Sequence, residues 1–143
     1  MSEIVVQKFG GTSVGTVDRI DSVAEIIKNA SKSNQIVVVV SAMGGETNRL
    51  VDLAKAFGDD PDKREFDALV STGETVSSAL LTMALHSKGI KAKSFSASQI
   101  SMRTTSSYSK AKILDVDAKK ILDVIDSDTI PIITGFQLSL IHI

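Results

Sequence analysis

QIVVVVSAMGGET, Gln35–Thr47, is the stretch whose reading decides the fold. Ile36–Val40 is an unbroken run of β-branched apolar residues. Uninterrupted apolar character, rather than alternation, is the pattern of a parallel strand covered on both faces. The chain then turns abruptly to Ser41, Gly44-Gly45 and Thr47. Ligands of open parallel sheets bind beyond the carboxyl ends of their strands, so SAMGGET stands where a site belongs.

Working outward, the same alternation recurs. EIVVQKF, Glu3–Phe9, reads as a first strand that ends in Gly10-Gly11. Ile20, Val23, Ala24 and Ile27 follow at i, i+3, i+4 and i+7, the spacing of one helix face. After SAMGGET a helix is expected near Asn48–Phe57, then a turn at Asp59-Asp60-Pro61-Asp62. A longer helix is expected from near Gly73, with Val76, Ala79, Leu80 and Met83 on one face. IKAKSF, Ile90–Phe95, is the next strand, and TTSSYSK, Thr104–Lys110, a polar loop. Ala118, Ile121, Leu122 and Ile125 mark a further helix, and TIPIITGF, Thr129–Phe136, a further strand. Strands alternating with helices predict parallel βαβ units: an α/β fold, a three-layer αβα sandwich with a mainly parallel sheet.

Composition narrows the class. The 143 residues are 43% hydrophobic, enough for a core, and fit one domain or part of one. Sixteen basic and seventeen acidic side chains leave a formal charge of −1, which gives no electrostatic case for nucleic acid or an anionic membrane. With no cysteine, a disulfide framework and a thiolate metal site are excluded. The opening MSEIVVQKF has no basic segment leading into an apolar one, so no signal peptide is expected. Ile36–Val40 is the longest apolar run and too short to span a bilayer. A cytoplasmic protein is the expectation.

Three stretches hold candidate chemistry. In KFGGTSVGT, Lys8–Thr16, the glycine pair lets the backbone approach a ligand, a following helix offers unpaired N–H groups, and Lys8 could set a charge on a phosphate. The alternative is a tight turn beside a solvated lysine. Thr16-Val17 stands where a Walker A loop needs Lys-Ser/Thr, so that motif is absent. In SAMGGET, Thr47 reads as a helix N-cap, or with Ser41 and the glycines as a second anion-binding strand end. STGE, Ser71–Glu74, has the form of a capping box, the alternative being a carboxylate held for a ligand's ammonium group. His86 has no partner at metal-ligand spacing, and Arg103 and Tyr108 read as solvated loop residues.

Taken together, KFGGTSV, VVVVSAMGGETNRLVDLA, STGETVSSALL, SFSASQ (Ser94–Gln99) and ITGFQ occur in the order and spacing seen in aspartate kinases. The chain resembles that family, within the amino acid kinase superfamily, from Glu3 to Gln137. The resemblance implies transfer of a phosphoryl group from ATP to the side-chain carboxylate of L-aspartate, the first step toward lysine, threonine and methionine. Mg²⁺ would arrive on the nucleotide's phosphates, with no metal site of the protein's own. Lys8 would offset charge on the transferring group, with Phe9, Gly10, Gly11 and Ser41 on the nucleotide side. Gly45 and Thr47 would lie in the aspartate-binding loop, and Glu74 would receive the α-ammonium group. The whole protein would be a homo-oligomer.

The resemblance also has a boundary. In the family, GFQ runs on with glycine toward a Gly-Arg-Gly-Gly-Ser-Asp motif, the adenine-binding half and regulatory ACT domains. Residues 1–137 would therefore be the N-terminal part of an incomplete catalytic domain, inactive by itself. Leu138–Ile143, LSLIHI, would be a non-native tail, read through from a sequencing adapter. Other readings are a superfamily member acting on acetylglutamate, glutamate or a nucleoside monophosphate, and a non-catalytic nucleotide-binding module.

Overall fold

The computed structural model describes residues 3–96, 98–100, 103–104, 113–115 and 118–135. Tyr108, most of the Thr104–Lys110 stretch, Phe136, Gln137 and LSLIHI lie outside the described residues. In chain order the elements are β1 (Ile4–Phe9), α1 (Val17–Ala30), β2 (Gln35–Val40), α2 (Glu46–Ala54), α3 (Lys63–Ser87), β3 (Ala92–Phe95), a 3₁₀ turn (Ser98–Ile100), β4 (Arg103–Thr104), β5 (Ile113–Asp115), α4 (Ala118–Asp126) and β6 (Ile130–Thr134).

Four strands pair in parallel in the order β1-β2-β6-β3. The sheet's register aligns Lys8 with Val39, Phe9 with Val40, and Val40 in turn with Thr134. The ends of β1, β2 and β6 are thus level. Arg103–Thr104 and Ile113–Asp115 form a separate antiparallel pair.

One face of the sheet meets α1 and α3. Ile20, Val23, Ala24 and Ile27 of α1 are buried there with Ile36, Val38 and Val40 of β2, Leu81 and Leu85 of α3, and Ile130 and Ile132 of β6. All four positions predicted for the buried stripe of α1 are in this core. Burying each of the Ile, Val and Leu side chains among them contributes roughly 1.5–3 kcal/mol. On the opposite face Val37 and Ile133 pack with Ile100 and Ile125, and Phe95 and Ile121 lie against them. Val37 and Val38 thus serve opposite cores, which is why β2 is apolar at consecutive positions. The three layers are completed only in part among the described residues: on β1, Ile4 is 44% and Val6 64% exposed.

Two helix starts differ from the sequence reading. α3 begins at Lys63, ten residues before Gly73, because Asp62 caps it by accepting a 3.0 Å hydrogen bond from the Glu65 amide. Asp62 and Glu65 have the same three-residue separation as Ser71 and Glu74, and the earlier pair takes the cap. Ser71 lies inside the helix, where its hydroxyl donates to the Ala68 carbonyl at 3.0 Å. The STGE capping box is therefore not formed. Likewise Thr47 is not the N-cap of α2. Gly45 is, in a left-handed conformation (φ 83) that disfavours a side chain, with no side-chain cap bond.

The buried face of α3 also differs from expectation. Of the face expected to be apolar, Val76 is 47% and Met83 62% exposed, whereas Ala79 and Leu80 are half-buried and Leu80 packs against the main core. The buried face instead carries Asp67, Ser71, Glu74, Ser77 and Ser78 before it becomes Leu81 and Leu85. At 25 residues α3 is long enough to cross a bilayer, but its packing against the sheet is that of a core helix.

Candidate active site

The polar half of α3 opens the question of a site, because burying a carboxylate and several hydroxyls costs stability unless each is partnered. Two of these residues, Glu74 and Ser77, lie at the carboxyl ends of the strands. Ser77 is fully buried, and its hydroxyl donates 2.6 Å to the carbonyl of Ser41, the first residue after β2. Glu74 is 1% exposed. Its Oε1 lies 3.9 Å from the point where a Cβ would stand on Gly135, the residue after β6. Gly135 in turn donates its amide to the Val40 carbonyl at 3.2 Å. The end of β6, the end of β2 and the STGE segment of α3 therefore meet.

The first glycine loop joins them from β1. The Ser41 amide donates to the Phe9 carbonyl at 3.1 Å, and the Gly44 amide to the Gly11 carbonyl at 2.8 Å. A Cβ on Gly11 would stand 2.9 Å from the Ala42 carbonyl oxygen, and one on Gly44 would stand 3.2 Å from the Gly11 oxygen. The two Gly-rich strand ends are thus packed backbone to backbone. Gly10 and Gly45 are different: a Cβ on either meets nothing within 4 Å. Within each pair one glycine is required by the neighbouring loop, and the other borders open space. This division could not be read from the spacing alone.

Lys8 is an exposed residue at the penultimate position of β1, on the same face as Ile4 and Val6. The Phe9 side chain packs half-buried against the main core, and its backbone carbonyl is taken by the Ser41 amide. The helix that follows the glycines begins at Val17, after the Thr12–Thr16 turn. Its N-cap is Thr16, whose hydroxyl oxygen accepts from the Arg19 amide at 3.2 Å. The nearby backbone amides therefore come from the loop. Ser41 is half-buried and Thr47 exposed in the first turn of α2. Between Gly45 and Thr47, Glu46 accepts two guanidinium bonds from Arg49, at 3.0 and 2.7 Å. Those bonds hold the Glu46 carboxyl below its ordinary range and raise Arg49.

Gly73, Ser77 and Gly135 belong to this cluster and were not singled out as site residues. Gly73 brings α3 close to the second loop, since a Cβ there would meet the Ala42 Cβ at 3.0 Å. The available signal was its place beside Glu74 in STGE. His86 is exposed at the other end of α3, with Nε2 2.7 Å from the Ala92 carbonyl oxygen. Among the described residues no three Asp, Glu or His side chains are grouped to hold a metal ion.

The sequence matches the amino acid kinase family over residues 3–141. The chain belongs to that family. Its amino acid kinase sequence is 51% identical over 135 residues to an aspartate kinase of Stutzerimonas stutzeri, covering 94% of this chain and 33% of the relative. The fold superposes on the crystal structure of an aspartate kinase from Synechocystis with TM-score 0.81 and 42% identity, over 95% of this chain and 22% of that one. It also superposes on Escherichia coli aspartokinase III in complex with lysine and aspartate, with TM-score 0.82 and 25% identity, over 94% of this chain and 41% of that one. The chain spans about a third, 33%, of the length of the curated relatives it matches.

Proposed function

We propose that this chain is part of an aspartate kinase, which uses ATP to phosphorylate the side-chain carboxylate of L-aspartate. The observation that carries the reading is the 2.8 Å bond from Gly44 to Gly11, which joins the two Gly-rich strand ends, with Gly73 of the STGE segment close against Ala42 of the second. Support also comes from the aspartate kinases that are half identical to it and from the aspartate bound in the E. coli relative.

In this reading a carboxylate oxygen of aspartate attacks the γ-phosphorus, the bond to the β-phosphate oxygen breaks, and ADP leaves. The acceptor is already ionised at neutral pH, so no general base is required. The difficulty is the approach of two anions, and the chain's part is to offset that charge. Lys8 supplies a cation at the end of β1, while Gly10, Gly11 and Ser41 border the phosphates. Gly45 and Thr47 line the acceptor side, and Glu74 receives the substrate's ammonium group. Mg²⁺ would be carried on the phosphate oxygens and would neutralise charge there.

Residues 1–137 are, in this account, the N-terminal part of the catalytic domain, and 138–143 a tail foreign to it. Aspartate-dependent formation of ADP by the complete protein tests the function. Turnover with a different acceptor and none with aspartate would overturn it.

A further inference from the structure

Five hydroxyls of α3 share one habit, from which Ser77 departs. Ser71, Thr72, Ser78, Thr82 and Ser87 each donate to a carbonyl three or four residues back in their own helix. Ser77 is 3.2 Å from the Glu74 carbonyl oxygen, but its shorter bond, 2.6 Å, leaves the helix for the Ser41 carbonyl, 36 residues away in sequence. The donor is fully buried. Removing its hydroxyl would leave a strand-end carbonyl short of a partner where water does not readily replace it.

The bond joins two halves of one arrangement. Ser41 follows β2 and leads into the Ala42–Gly45 loop, whose Gly44 holds Gly11. Ser77 is one helical turn beyond Glu74, so its anchor point and the Glu74 carboxyl share a rigid piece of helix. Gly73, one turn before Ser77, lets the same face approach Ala42 closely. We infer that Ser77 is a positioning residue: its hydroxyl fixes the Ser41 backbone relative to Glu74, and so sets the separation of the nucleotide side from the acceptor side. This rests on the kinase reading above. In-line phosphoryl transfer is sensitive to such placement, since a shift of about 1 Å can cost on the order of 10²-fold in rate.

The test is steady-state kinetics of the complete protein with aspartate and ATP, normalised to folded protein. Ser77→Ala is expected to lower kcat roughly tenfold to hundredfold while the KM values move by less than about threefold, the split expected when aligned geometry is lost rather than binding. Ser78→Ala is the matched control: Ser78 is 3% exposed, its hydroxyl bonds within its own helix to the Thr75 carbonyl, and it should keep wild-type kcat. Ser77→Cys, which retains a weak donor in a similar volume, should recover part of the loss and covers the case in which Ser77→Ala does not fold. Equal kcat for Ser77→Ala and wild type, or equal losses in the Ser77 and Ser78 variants, overturns the inference and leaves the kinase reading intact. Wild-type protein inert toward aspartate overturns that reading, and the inference with it.

Discussion

Gly44 donates its amide to the carbonyl of Gly11 at 2.8 Å, and this bond joins two loops that are 33 positions apart in the sequence. It requires each backbone to approach the other without a side chain between them. Adding a Cβ at Gly11 places it 2.9 Å from the Ala42 oxygen, so something must shift. Gly11→Ala is expected to cost about 1–3 kcal/mol, the range for forcing a methyl into a packed region. Gly10→Ala meets nothing within 4 Å and should stay within about 0.5 kcal/mol of wild type. Unfolding of the two variants in the complete protein checks this, and equal losses would contradict it.

Helix capping offers a second contrast. Asp62→Ala removes the oxygen that accepts the Glu65 amide and should cost about 1 kcal/mol. Thr47→Ala removes an exposed side chain that caps nothing, so a change below about 0.5 kcal/mol is expected. The reverse order in thermal or denaturant unfolding would restore Thr47 as the cap.

Stability should respond to pH in two opposite windows. Lys88 donates to Asp21 and Glu25 at 2.9 and 3.3 Å, and the bond to Asp21 is the main cause of its raised pKa. That contribution is full below the ordinary lysine value of 10.5 and is lost as pH rises through the higher folded value. Glu46, held low by its hydrogen bond from Arg49, contributes fully above its ordinary 4.5 and loses this as pH falls through the lower folded value. Both groups are in contact with solvent, so 1 M salt should flatten both dependences. Lys88→Met should remove the alkaline limb and leave the acidic one, and retention of the alkaline limb would refute the assignment.

Glu74→Gln preserves shape at a position 1% exposed and removes the charge assigned to the substrate's ammonium group. A hydrogen bond to a charged group is worth about 1.5–3 kcal/mol, so KM for aspartate should rise roughly tenfold to hundredfold. KM for ATP should change little. A variant with normal aspartate KM would remove Glu74 from the acceptor side.

The sequence made the layers legible because their signals were local. Ile36–Val40 has the pattern of a strand covered twice, and the spacing of Ile20, Val23, Ala24 and Ile27 named the buried face of α1 directly. α3 was misread for a related reason. Hydrophobic periodicity finds the apolar face of a helix, whereas α3 buries Glu74, Ser77 and Ser78 and exposes Val76 and Met83. A helix that lines a site inverts the usual rule over the turns that face it. Ser77 and Gly73 were likewise out of reach, since their importance lies in contacts with Ser41 and Ala42, which no periodicity encodes. Gly10 and Gly11 could be found as a pair but not told apart.

The central claim is phosphoryl transfer to aspartate through the site at the strand ends. Its most direct test is aspartate-dependent ADP release by the complete protein and by its Lys8→Ala variant. The account predicts turnover that requires aspartate and falls about a hundredfold or more when the Lys8 charge is removed, the scale for losing one group aimed at developing charge. Turnover that does not depend on aspartate, or a Lys8→Ala variant at the wild-type rate, would contradict it.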